Sequence, residues 1–186
     1  MSPQPQSSNV SEVVRTVRQF RQYKVDPIPD KIIEELLQVA RWTGSSRNTQ
    51  PWHFIVIDDR EQLAKIGALR APIAWVANAP LAIAIVLDGG TNLASEAYDE
   101  GRVTERILIA AHSLRLGGGV AWFGDPPLQA EAKRILDIPA ERGARSVVVV
   151  GYPAEAQSPR PGTVTGGRKP LSEIVSYNRT GGTKGR

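Results

Sequence analysis

Three short stretches of this chain concentrate side chains that could hold an anion or a flat ligand. In VRTVRQF, Val14–Phe20, Arg15, Thr16 and Arg18 lie within one turn of each other. Two guanidiniums and a hydroxyl at that spacing can surround a phosphate with charge-assisted hydrogen bonds. A solvated helix face would use the same residues. In TGSSRNTQPWHFIVIDD, Thr43–Asp59, Ser45, Ser46, Asn48 and Gln50 supply donors and acceptors just before an apolar strand, and Pro51 stiffens the corner. A turn that satisfies its own backbone also favours Ser and Asn. In GGGVAWFGD, Gly117–Asp125, glycines would let the main chain approach a ligand. That run follows a helix and precedes a strand, whereas a dinucleotide fingerprint does the reverse and needs G-x-G-x-x-G. Taken singly, each stretch is accounted for by ordinary structure.

Composition narrows the chemistry. The chain of 186 residues has no cysteine, which removes disulfides, thiolate metal sites and a cysteine nucleophile. Its two histidines, His53 and His112, lack metal-ligand spacing, so no metal site is expected. Six basic residues and one acid lie between Arg160 and Arg186, so this stretch is basic while the rest is nearly neutral. Such a tail could bind nucleic acid or a small anion. Base stacking would call for aromatics among the charges, and the tail offers only Tyr177. The small anion is therefore favoured, with no nucleic-acid partner. The polar N-terminus has no apolar signal core, and Leu81–Leu87 is too short to cross a bilayer. A soluble, cytoplasmic protein without a membrane partner is the expectation.

The elements that must position these residues follow from hydrophobic period. Residues 1–9 read as a disordered tail, with Asn9 and Glu12 resembling a capping box. Val10, Val13, Val14 and Val17 mark a first helix. A second runs from Asp30 to Trp42, then a strand over Phe54–Ile57 and a helix over Arg60–Leu69, while residues 70–80 show no decisive period. Leu81–Leu87 is a strand covered on both faces. A long helix over Asn92–Leu116 is expected to stop at Gly117-Gly118-Gly119, before a strand at Val120–Phe123. A helix at Leu128–Leu136, a strand at Ser146–Val150, a loop over Ala154–Gly167 and a helix at Leu171–Tyr177 complete the pattern. One domain over 10–178 and a flexible tail over 179–186 are expected. The class is α/β or α+β.

Read together, the three stretches resemble the FMN-dependent nitroreductase family over about residues 10–178. VRTVRQF is similar to its opening Arg-Ser-x-Arg-x-Phe segment, and GSSRNTQPWHFIVI to its Ser-x-x-Asn-x-Gln-Pro-Trp-x-Phe signature. DEGRVTERILIAAHSLRLGGGVAW, GYP at Gly151–Pro153 and GRKPLSEIV at Gly167–Val175 resemble its central helix, last core strand and C-terminal anion-binding segment. The resemblance implies an α+β fold with a central, mostly antiparallel sheet of four to five strands flanked by helices. It implies a homodimer with FMN at the subunit interface and NADH or NADPH as electron donor. Arg15, Thr16 and Arg18 would hold the FMN phosphate and ribityl chain, joined by Arg168 and Lys169. Gly44, Ser45, Ser46 and Asn48, with Gln50 of the same motif, would approach flavin held by the partner. Trp122, Phe123 and Gly124 would run along the isoalloxazine.

That site names no catalytic side chain, because the flavin carries the chemistry. The implied activity is ping-pong reduction of a nitroaromatic, quinone or similar acceptor. Flavin fragmentation, reductive dehalogenation and flavin binding without turnover are the alternatives.

Overall fold

The computed structural model describes residues 10–90, 92–154 and 168–184. The expected tail at 1–9, its Asn9 cap, most of the expected loop at 154–167, and residues 185–186 lie outside them. The chain divides into two compact units, Met1–Glu155 and Ala156–Arg186.

The first unit is built on one antiparallel sheet: β1 (Trp52–Ile57), β2 (Leu81–Leu87), β3 (Gly117–Trp122) and β4 (Ser146–Gly151), in the order β1-β2-β4-β3. β2 and β4 are central, and all their residues are buried. Their unbroken apolar runs have a direct cause: strand residues alternate between faces, and both faces are covered. Leu81, Ile83, Ile85, Leu87, Val148 and Val150 cluster with Leu36 and Ala40 of α2 (Asp30–Arg41) and with Val103, Ile107 and Ala111 of α4 (Leu93–Ser113). Ala82, Ala84, Val86, Val147 and Val149 cluster on the other face with Leu63 and Ile66 of α3 (Arg60–Ala68) and Ala132 of α5 (Pro126–Ile135). Residues 71–78, which lack a decisive period, form a 3₁₀ helix that adds Ile73 and Val76 to that face. Each fully buried Leu or Ile contributes about 1.5–3 kcal/mol.

Local signals set the helix starts. The carboxylates of Asp59 and Asp125 accept from Gln62 N and Leu128 N, and Asn92 Oδ1 accepts from Ser95 N. Each satisfies an orphan donor of the first turn. The end of α4 departs from expectation. It ends at Ser113 rather than Leu116, and Arg115, not a glycine, takes the left-handed position with φ 63°. Arg115 N donates to His112 O at 3.1 Å and Leu116 N to Ala111 O at 2.8 Å, which is a Schellman closure. The three glycines therefore belong to β3, which begins at Gly117 rather than Val120. They lie beside the segment after α1 (Val10–Thr16): Gln19 pairs with Gly118, and Phe20 N donates to Gly118 O at 2.8 Å.

In the second unit, α6 (Leu171–Ile174) is followed by a turn closed by Tyr177 N to Gly182 O at 2.9 Å. No described helix is long and apolar enough to cross a membrane.

Candidate functional site

The end of α1 carries the first group of candidates. Arg15, Thr16 and Arg18 are all exposed. Arg18 Nη1 donates to Arg15 O at 2.6 Å and to Val17 O at 2.7 Å. The guanidinium thus caps carbonyls that the short helix leaves free, at the end favoured by a cation. Thr16 Oγ1 stands 2.8 Å from Glu12 O and 3.1 Å from Val13 O, and 3.0 Å from Nε2 of His112 on α4.

The second group lies on the loop between α2 and β1. Part of its polarity satisfies the loop itself: Ser45 Oγ accepts from Gln50 N at 2.8 Å, and Thr49 Oγ1 donates to Ser46 O at 3.1 Å. Ser46 and Asn48 are exposed. Arg47, Asn48 and Gln50 all have positive φ, at 53°, 56° and 49°. Left-handed backbone costs a non-glycine residue roughly 1–2 kcal/mol, and such strain collects at functional sites. Among the described residues, the buried hydroxyl of Thr43, beside Gly44, has no hydrogen-bond partner. The loop is held to α4 by Arg106 Nη1, which donates to Trp42 O at 3.2 Å. A Cβ on Gly44 would stand 2.9 Å from the Arg102 guanidinium, so glycine makes room for that side chain.

The third group is at the end of β3. Trp122 is 54% exposed, and the Arg70 guanidinium lies 5.3 Å from its ring centroid, a cation–π arrangement. Phe123 is fully buried, so its ring belongs to the core and only its main chain could meet a ligand. Phe123 N already donates to Arg145 O at 2.9 Å. Gly124 takes φ 110°, and its carbonyl accepts from Gln129 Nε2 at 2.7 Å. Arg168 and Lys169, in the second unit, are exposed.

Within the first unit these groups are anchored at different points. α1 meets α4 at His112, whereas the loop meets α4 at Arg102 and Arg106. Six to ten residues of helix separate those points by about 9–15 Å. Gly118, beside Gln19, and Trp122 are four strand residues apart, about 13 Å.

Several side chains near these groups were not singled out from the sequence: Arg70, Arg102, Arg106 and His112 as a partner of Thr16. Nor was a buried ionic network at the start of α4. Arg145 Nη1 donates to Glu100 Oε2 at 2.8 Å, Ser146 Oγ to Glu100 Oε1 at 3.1 Å, and Gly90 N to Glu96 Oε1 at 2.6 Å. Arg145 Nη2 lies 3.6 Å from Glu96 Oε2. A signal was available: Glu96, Glu100, Val103 and Ile107 share one helical stripe, so the carboxylates continue an apolar face. The network joins α4 to the start of β4. Among the described residues, no group of His, Cys, Asp or Glu could hold a metal.

Comparison with known proteins follows the same lines. The nitroreductase family model matches residues 14–85. A protein of Methanothermobacter thermautotrophicus, provisionally named NADH dehydrogenase/NAD(P)H nitroreductase, is 35% identical over 160 residues, 83% of this chain and 81% of its own length. A provisionally named nitroreductase from Desulfovibrio desulfuricans, solved in complex with FMN, superposes with a TM-score of 0.73 at 25% identity, over 94% of this chain and 96% of that one. An FMN-dependent nitroreductase from Clostridium difficile shares the fold, with a TM-score of 0.76 at 22% identity over 90% and 98% of the two chains.

Proposed function

This chain belongs to the nitroreductase family, and from that premise we propose that it is an FMN-dependent oxidoreductase using NADH or NADPH. The observation that carries the proposal is the donor cluster at the end of α1. Exposed Arg15 and Arg18, with the Thr16 hydroxyl between them, are donors only where charged and suit a phosphate. The donor set therefore fits the phosphate end of FMN. The strained loop and the unpartnered Thr43 hydroxyl fit a polar site that another group completes. FMN, when bound, supplies electron transfer between reduced nicotinamide and an acceptor.

This chain's own residues would bind and orient. Arg15, Thr16 and Arg18 hold the phosphate and ribityl chain in this reading. Arg168 and Lys169 enter it only through the resemblance of GRKPLSEIV. Gly44, Ser45, Ser46, Asn48 and Gln50 would act on FMN of a partner subunit, and Trp122 and the main chain of Phe123 and Gly124 would line its flat ring. Reading 10–178 as one FMN-binding domain belongs to the same proposal.

One observation supports a homodimer. The outward face of α4 carries Tyr98, 74% exposed, and Gly101, whose side-chain position meets nothing within 4 Å among the described residues. A mid-helix glycine costs about 1 kcal/mol against alanine, and its open surface admits a closely packed neighbour. One site used in turn by nicotinamide and acceptor gives ping-pong kinetics, with nitroaromatics, quinones or free flavin as acceptors.

The test is a visible spectrum of the purified protein before and after anaerobic addition of NADH or NADPH. A yellow protein that bleaches is expected. A yellow protein that stays yellow points to binding without turnover. A colourless protein that fails to take up FMN at micromolar concentration overturns the reading. Arg18→Ala combined with Arg168→Ala should weaken FMN binding, each charge-assisted bond being worth roughly 1.5–3 kcal/mol. Unchanged affinity would remove both residues from the phosphate site.

A further inference from the structure

We propose that His112 is a positioning residue of the phosphate site, acting through the Thr16 hydroxyl. The inference rests on the FMN reading for its ligand but on this chain's geometry for its contact. Thr16 Oγ1 has three neighbours within hydrogen-bond reach: Glu12 O, Val13 O and His112 Nε2. The two carbonyl oxygens can only accept. A hydroxyl has a single proton, and turning it toward His112 would set its lone pairs against a carbonyl oxygen 2.8 Å away. The proton therefore points along the helix, and His112 must supply the hydrogen of the third contact. His112 carries its proton on Nε2 and donates to Thr16.

The consequence concerns polarity. A threonine hydroxyl in the last turn of a helix can serve a ligand as donor or acceptor. With an acceptor position taken by His112, Thr16 is biased toward donation. An anion beside Arg15 and Arg18, whose hydrogen bond is roughly twice as strong as one to a neutral acceptor, would offset the cost of drawing that proton off Glu12 O, where a neutral imidazole does not. An anion is served by donors alone. His112 also sits in the last turn of α4, half-buried, so the contact ties the end of α1 to a long, packed helix. That tie sets the placement of a helix of seven residues none of which is buried.

Two measurements test this. The first uses protein free of flavin and labelled with nitrogen-15 in its two histidines, with His112→Gln identifying the signals. At a pH where the rings are neutral, His112 should show the Nε2–H tautomer. A dominant Nδ1–H tautomer overturns the proposal. The second measures affinity for FMN and for riboflavin, which lacks the phosphate. His112→Leu should bind FMN roughly tenfold more weakly, the scale of one hydrogen bond to a charged site, with a clearly smaller loss for riboflavin. His112→Gln, whose amide reaches as a donor in place of Nε2, should restore FMN affinity. The loss should vanish when Thr16 is also changed to Val. Equal losses for both flavins, or none, overturn the proposal. If the wild type binds neither flavin, the FMN reading fails instead, and the tautomer still judges the contact.

Discussion

The glycine run of β3 and the loop between α2 and β1 present opposite solutions to backbone constraint. Gly117, Gly118 and Gly119 have no positive φ, so any residue could adopt their backbone. What excludes a side chain is crowding. A Cβ on Gly117 would lie 2.7 Å from the Phe20 ring, and one on Gly118 2.6 Å from Leu108. One on Gly119 would run into the Phe20 main-chain oxygen, which cannot yield as a side chain can. The loop is the reverse. Arg47, Asn48 and Gln50 are exposed, yet hold backbone that glycine would adopt freely. Glycine thus marks packing in one region, and its absence marks retained strain in the other. A glycine-rich run was the more conspicuous candidate for ligand approach, and the strained polar loop is the better one.

The largest expected effect breaks the packed side. Gly119→Ala should cost about 3 kcal/mol or more of stability, as severe overpacking does, seen as a lower midpoint in urea unfolding. The same region contains Tyr23, whose hydroxyl donates to Phe20 O at 2.7 Å. Burial pushes its pKa well above the ordinary tyrosine value, with Arg21 partly opposing. The unfolded chain therefore releases this proton first as pH rises. The contribution of Tyr23 is complete below about pH 10 and falls by up to about 1.4 kcal/mol per pH unit above it. Urea titrations at alkaline pH should show that slope, and Tyr23→Phe should flatten it.

The next change sharpens the strained side. Arg47→Gly should raise the stability of the flavin-free protein by about 1 kcal/mol while lowering FMN affinity. A gain in both would show that the loop's strain serves no ligand. Arg115→Gly is the smallest and serves as its control. Arg115 is equally left-handed but closes α4 away from the loop. The change should add about 0.5–1 kcal/mol, measured by thermal unfolding, and leave FMN affinity unchanged.

Much of the fold was legible because it depends on local period. The buried run of β2, the stripe of α2, the position of α3 and the β-branched run of β4 all follow from residues adjacent in the chain. The family was legible too, since its motifs are short and ordered. Other features needed distant partners. Whether Gly117–Gly119 end a helix or begin a strand depends on Phe20 and Leu108, nearly a hundred and about ten residues away in the chain respectively. The stripe of α4 that holds Glu96 and Glu100 does not name their partner, and Arg145 is placed against them only by the fold. Thr16 reads as a free hydroxyl until α4 brings His112 to it.

The amino-acid sequence by itself determined most of the strands and helices, which family the chain joins, and which polar residues are candidates. Period and short motifs are written in neighbouring residues. Only the tertiary structure decided what each glycine is for, where backbone strain is kept, and which way a hydroxyl donates. Those depend on contacts between residues that the chain order keeps apart.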